Sequence, residues 1–375
     1  LKIRLILLLC LGALLVPASA DASDESVTLS MQAEAAEGNL FREAPRAVRA
    51  SLDIGVTVPP SATVVTPMIN SRVKFPKDMT FHPDPKKTPV CTKVNPQASL
   101  GSGVTAMVDL CPRSVIGTGT ARIHLARSAL IPPLDDPRLV IFNAGTTAQG
   151  RPKITIYGFS KATGAGVLMS GFLARNGELD IAIGVLPFDS AIADFMLGIP
   201  GDPLEIEDDA APGGIRVVRG QDPAYLRAVC SSGAWKATGR FRFATRNDST
   251  GELTSEPVEI ESNPFSLPCS GLKGRGRLGA LRVIGRPKFR RGKGQTVRVA
   301  ISNVGTASLN KVTVRITGGG TGRKVLGRVP PETSRTVPVK VRFPRTGNPK
   351  RRKLRVTVSG GGASRSRTIA ISRKG

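Results

Sequence analysis

The sequence predicts an all-β protein in two parts: an N-terminal β-sandwich-like domain and a C-terminal immunoglobulin-like seven-stranded sandwich. Three observations lead there. Apolar and polar residues alternate at the strand period through the last hundred residues, turn residues recur at short intervals along the whole chain, and helical periodicity is scarce. Charge shows where to divide the 375 residues, which carry +26 in total. From Lys273 to Lys374 there are 28 Lys and Arg against a single acid, Glu332, for a net +27. Residues 21 to 270 hold 24 basic and 27 acidic residues, for a net −3. The expected division is an export signal at 1–20, an all-β domain with two disulfides at 21–270, a Gly/basic linker at 271–280 and a basic domain at 281–375.

The first element is the export signal. Lys2 and Arg4 supply a positive start, Leu5 to Val16 an apolar run, and Ala18-Ser19-Ala20 the small residues of a cleavage site, with the cut expected after Ala20. That run is too short to cross a bilayer, which takes roughly twenty apolar residues. Nothing later in the chain is long and apolar enough either, so no transmembrane span is expected and the mature protein is expected outside the cell or at its surface.

Within 21–270, strands are expected at Val27–Gln32, Ala47–Val58, Thr120–Leu125, Leu139–Phe142, Ile154–Phe159, Ile215–Val218 and Arg240–Ala244. The clearest element is a hairpin of Val167–Ala174 and Leu179–Val185. Its turn holds Asn176-Gly177, the pair that best tolerates the positive φ of a type I′ turn. Ala-rich Met31–Glu37 is the one place where a short helix is expected.

Loss of Cys10 with the signal leaves Cys91, Cys111, Cys230 and Cys269, an even number for an oxidising compartment. Four cysteines allow three connectivities. Cys91 with Cys111 and Cys230 with Cys269 is favoured, since each pair closes a moderate loop, contributing about 3 kcal/mol in the chain-entropy account. Trp235, five residues after Cys230, is expected to pack against that disulfide in the core.

The join from Ser270 to Arg277 is rich in Gly and basic residues and reads as a flexible linker. Seven strands follow, at Leu281–Ile284, Thr296–Ser302, Lys311–Thr317, Lys324–Arg328, Arg335–Val341, Lys353–Val358 and Arg367–Ser372. Val297, Val299 and Ile301 share one face, as do Val312, Val314 and Ile316, which is the pattern of a two-sheet sandwich.

The run from Gly294 to Gly305, with Val297, Val299, Ile301, Asn303 and Gly305, is followed by Ser334-Arg335-Thr336-Val337-Pro338-Val339-Lys340-Val341. This order resembles the CARDB and DUF11-like immunoglobulin-fold modules of bacterial envelope proteins, over roughly 281–372. The resemblance implies a spacer, adhesion or carbohydrate-binding role in the envelope. The acidic residues of that family's last strands are missing here, so a calcium site does not carry over. In the N-terminal part, Phe75-Pro76-Lys77-Asp78-Met79-Thr80-Phe81 before Cys91, and the run from Cys111 to Ala121, are joined by Cys230, Trp235 and Cys269. They resemble an uncharacterised secreted β-domain of high-GC Gram-positive bacteria, which implies the fold and the disulfides and no activity.

Catalytic motifs are absent. The only histidines are His82, between turn residues, and His124, within a strand, and both read as structural or solvated. No nucleophile elbow, zincin motif or phosphate-binding glycine loop occurs, and no cofactor is expected. Carboxylate chemistry of the glycoside-hydrolase kind remains as the alternative. The acids Asp202, Glu205, Glu207, Asp208 and Asp209 form the one weak calcium candidate; a solvated loop is the favoured reading, and no metal site is assigned.

The basic domain is the strongest functional lead. Its densest runs contain Lys288, Arg290, Arg291 and Lys293, and Lys350, Arg351, Arg352, Lys353 and Arg355. Such charge density holds polyanions, which outside the cell are anionic wall or matrix polymers. Sequence-specific nucleic-acid reading is not expected, because stacking on bases needs aromatic residues and this segment has only Phe289 and Phe343. The expected function is that of a noncatalytic secreted cell-envelope protein; the alternative is a secreted hydrolase for which the basic module is a tether. Neither the ligand nor the oligomeric state is specified by these residues.

Overall fold

The structure is a computed structural model. It describes residues 25–94, 101, 103–174, 177–247, 249–289, 292–345 and 353–373. The export signal at 1–20, Asn176 of the hairpin turn, and the cations Arg290, Arg291, Lys350, Arg351 and Arg352 lie outside the described residues.

The protein is all-β. The N-terminal part contains β1 (Ser26–Ala35), β2 (Arg46–Thr57), β3 (Met68–Lys74), β4 (Met79–Phe81), helix α1 (Val104–Leu110), β5 (Val115–His124), β6 (Arg138–Thr146), β7 (Pro152–Ser160) and β8 (Ala165–Leu173). It continues with β9 (Glu178–Ala182), β10 (Ala191–Ile199), β11 (Leu204–Glu207), β12 (Ile215–Val218), β13 (Leu226–Ala228), β14 (Ala234–Phe243), β15 (Val258–Glu261) and β16 (Phe265–Pro268).

All of these strands except β11 and β12 belong to one antiparallel sheet whose spine runs β14-β3-β9-β8-β7-β6-β5-β10-β2, with β1 beyond β2. The sheet curls until β1 packs beside β14 and β16, so its inner face encloses a single core. Inward positions follow the strand period: Val27, Leu29 and Met31 from β1, and Leu139 and Ile141 from β6. The middle of the sheet is buried on its outer face too. There α1 covers Val140, Phe142 and Tyr157, and Cys91–Cys111 ties down its C-terminal end. This double burial is why Leu139–Phe142 is an unbroken apolar run.

Three expectations change. Met31–Glu37 forms no helix: through Ala35 it is strand, paired residue for residue with β2, and its burial alternates as one wall of the core requires. The helix lies instead at Val104–Leu110. The segment 271–280 is ordered by hydrogen bonds along its length. Leu272 N–H donates to Leu40, Val304 N–H to Arg277 and Ala307 N–H to Arg275. Gly274 has no room for a side chain, since a Cβ there would lie 2.4 Å from the Thr306 carbonyl oxygen.

The C-terminal core begins at Leu278, inside that segment. It contains β17 (Leu278–Ile284), β18 (Lys288–Phe289), β19 (Gly294–Asn303), β20 (Leu309–Gly318) and β21 (Gly322–Val329). Then come β22 (Ser334–Arg342), β23 (Lys353–Gly360), β24 (Ala363–Ala370) and β25 (Ser372–Arg373). Three strands, β17-β19-β22, face four, β21-β20-β23-β24, as the two sheets of a sandwich, while β18 and β25 form a separate short parallel pair. Val297, Val299 and Ile301 meet Val312, Val314 and Ile316 between the sheets.

Candidate functional site

The strand alternation that fills the sandwich also sorts its cations outward. On the four-stranded sheet, Arg315 is paired across strands with Arg323 on one side and Thr357 on the other, and Arg355 is paired with Thr317. Lys353 shares this outer face with Arg355, two residues away. On the three-stranded sheet the outward positions include Arg282, Arg298, Lys340 and Arg342. All eight are exposed, and none has an acidic partner among the described residues. Of the cations expected from sequence, the structure places Lys353 and Arg355 on this face, and Lys288 and Lys293 at exposed positions around the start of β19. Arg315 and Arg323 do not stand out in sequence, because they sit in separate strands and only cross-strand register brings them together.

Two ion pairs engage this domain among the described residues, and both cross to the other domain. Glu332 accepts from Arg46 at 2.7 Å, and Arg328 donates to Glu43 at 2.9 Å. Glu43 also accepts from the Ser308 backbone N–H at 3.0 Å and from its hydroxyl at 2.5 Å. The Ser308 hydroxyl, more than the other neighbours, holds the Glu43 carboxyl below the usual carboxylate range.

Both expected disulfides form, Cys91–Cys111 and Cys230–Cys269. Trp235 is buried beside the second, and its indole N–H donates to the Val229 carbonyl at 2.8 Å. The five acids from Asp202 to Asp209 do not converge. Glu207 pairs with Lys161, Asp208 pairs with Arg216, and Glu205 is on β11. Among the described residues no group of three or more His, Cys, Asp or Glu is placed to hold a metal ion. His124 is buried with Nδ1 at 3.0 Å from the Ser128 carbonyl, and His82 is exposed.

Two places hold more than one carboxylate. Asp53 on β2 lies near Asp194 on β10, which takes an ion pair from Arg122 at 2.5 Å. Burial first, and then the Asp194 charge, raises the Asp53 carboxyl above its usual range. A second pair, Glu34 and Asp202, lines a groove of about 390 Å³ beside Arg49 and Thr118. A larger groove, of about 1000 Å³, lies between the β3–β4 connection and the start of β14 and contains one acid, Asp78. Both Asp78 oxygens accept from Ser231, one from its N–H and one from its hydroxyl, each at 2.8 Å.

No helix among the described residues is long and apolar enough to cross a membrane. No family model matches the chain, and no curated protein does. Among solved structures, a red sea bream transglutaminase shares 10% identity over 93% of this chain and 31% of its own, at a TM-score of 0.20. A protein of unknown function from Porphyromonas gingivalis W83 shares 10% identity over 92% of this chain and 99% of its own, at a TM-score of 0.17.

Proposed function

We propose that this chain is a noncatalytic exported protein of the cell envelope, whose basic C-terminal sandwich attaches to an anionic wall or matrix polymer. The observation that carries the reading is the pair of outer sheet faces set with cations that no acid neutralises. A flat lattice of Arg and Lys interspersed with Thr and Ser suits a flexible polyanion, which needs many weak contacts and no pocket. Two disulfides fit an oxidising compartment outside the cytoplasm. The likeness of Gly294–Gly305 to CARDB-type modules points the same way.

The test is binding of the full chain to purified Gram-positive cell wall and to dextran sulfate across a salt series. Affinity falls steeply with salt, because each neutralised polymer charge releases a counterion. Replacing Arg315, Arg323 and Arg355 by Gln together lowers the log–log slope by up to about three, roughly one per cation. Binding that is absent at physiological salt, or that ignores these substitutions, refutes the attachment.

The second reading, a secreted hydrolase tethered by the basic module, rests on the groove that holds both Glu34 and Asp202. It requires glycan hydrolysis by the full chain that Glu34→Gln and Asp202→Asn each abolish.

A further inference from the structure

A wide groove and two small apolar cavities, joined through shared lining residues, run through the N-terminal domain. The outermost is the 1000 Å³ groove, which is of the size that takes small-molecule ligands. Its floor includes Phe75 and Phe81, whose rings meet edge to face at 5.6 Å, and the buried Trp235. The same two phenylalanines also line a cavity of about 30 Å³ inside the core, beside Met31, Leu52 and Leu179. Beyond Leu197, which lines both, lies a third of about 60 Å³ against Leu139, Ile156 and Met169. The inner walls are almost wholly apolar, and the unbranched Met31 and Met169 adapt to a guest by changing rotamer.

The mouth has the opposite character. Lys74, Lys77 and Lys236 line the groove, all exposed and none with an acidic partner among the described residues. The acid opposite Lys74 in the strand register, Glu178, is paired with Arg240, and Asp78 is held by Ser231. A cationic rim over a narrow apolar axis is complementary to one kind of ligand, an alkyl chain ending in an anion.

We propose that this end of the N-terminal domain binds a single-chain anionic amphiphile. Its alkyl chain passes between Phe75 and Phe81 into the core, and its carboxylate or phosphate head sits on Lys74, Lys77 and Lys236. The inner cavities are smaller than such a chain, so binding turns the two phenyl rings and widens the interior. This site is separate from the basic sandwich and stands whether or not that domain attaches to polymer.

The only Trp in the chain, Trp235, lines the groove and provides the readout. Full-length protein is titrated with a stearate brominated along its chain, which quenches indole fluorescence on contact. Saturable quenching below the micelle concentration is expected, reversed by unlabelled alkanoates whose affinity rises about fourfold per methylene from octanoate to dodecanoate. Lys74→Gln, Lys77→Gln and Lys236→Gln together weaken dodecanoate by about tenfold or more and leave dodecanol unchanged, since only the charged head loses partners. Arg315→Gln with Arg355→Gln leaves both unchanged, which separates this site from fatty anions adhering to the basic domain. Absence of quenching, an affinity independent of chain length, or unaltered dodecanoate binding in the triple lysine variant overturns the proposal.

Discussion

Asn303 is the residue whose loss tests the C-terminal fold most sharply. It ends β19, is buried at 1% exposure, and satisfies backbone groups from three directions. Its amide nitrogen lies 2.8, 3.1 and 3.0 Å from the carbonyls of Ala307, Val329 and Pro330. Its amide oxygen accepts from the N–H groups of Arg277 and Gly305 at 3.1 and 3.0 Å. Two donated and two accepted bonds, at about 1 kcal/mol net each, put Asn303→Ala near 4 kcal/mol of destabilisation. For a domain of this size that lowers the melting temperature by roughly 15–30 °C. Scanning calorimetry of the full chain reads the domain directly, with tryptic cleavage at its many Lys and Arg residues as a second probe. Trp235 fluorescence serves as the internal control, because the chain's Trp and both Tyr lie in the N-terminal domain. Asn303→Asp is expected to be worse, since it loses both donors and buries a charge. An Asn303→Ala protein melting within about 3 °C of the parent refutes the reasoning, since a loss below 1 kcal/mol means that the five partners find others.

Three other outcomes follow from particular side chains. Tyr225 is fully buried and its hydroxyl has no hydrogen-bond partner among the described residues, so Tyr225→Phe is neutral or stabilising by up to about 1 kcal/mol in urea unfolding followed by Trp235; a comparable loss means the hydroxyl is engaged. The Glu43 carboxyl is held below its usual range, so its contribution is complete above the unfolded-state pKa and is lost as pH falls through the lower folded-state value. Spin-label distances between the two domains therefore spread more widely in Glu43→Gln than in the parent near neutrality; an unchanged spread refutes the contact. The Asp53 carboxyl is raised instead, so its ionisation disfavours the folded state as pH rises past the usual carboxylate range. Asp53→Asn raises the urea midpoint near pH 7 and leaves it unchanged near pH 3, and a lowered midpoint near pH 7 contradicts this.

The C-terminal sandwich was legible because each sheet has one buried face, so alternation in β19 and β20 marks both strand and orientation. The N-terminal sheet was harder to read where its strands carry polar residues or break register. Met68–Lys74 holds Asn70, Ser71 and Arg72, yet it pairs with β9 and β14 as an interior strand. Ala191–Ile199 loses its period at the irregularity between Ile192 and Asp194, although it joins β2 to β5 as an interior strand. Short-range chemistry transmitted better: the pairing of β8 with β9 and both disulfides needed only nearby residues. The groove is legible in part: Phe75 to Phe81 and Trp235 stand out in sequence, but only the pairing of β3 with β14 brings Lys74 and Lys236 beside them.

The placement of the single C-terminal acid links charge to architecture. A lone Glu among 28 cations would be expected to neutralise its nearest basic neighbours. Glu332, at φ +54°, is instead turned toward Arg46, and Glu43 answers from the same β1–β2 loop region by taking Arg328. The two pairs are reciprocal, each domain supplying one acid and one base. Exposed pairs of this kind contribute at most about 1 kcal/mol each, which is too little to glue two domains by themselves. They act together with the backbone bonds between Leu40, Arg42 and Leu272, and so orient the sandwich more than they hold it. The cations of the outer sheet faces take no part in this contact. A polyanion would therefore meet both faces without first displacing the neighbouring domain.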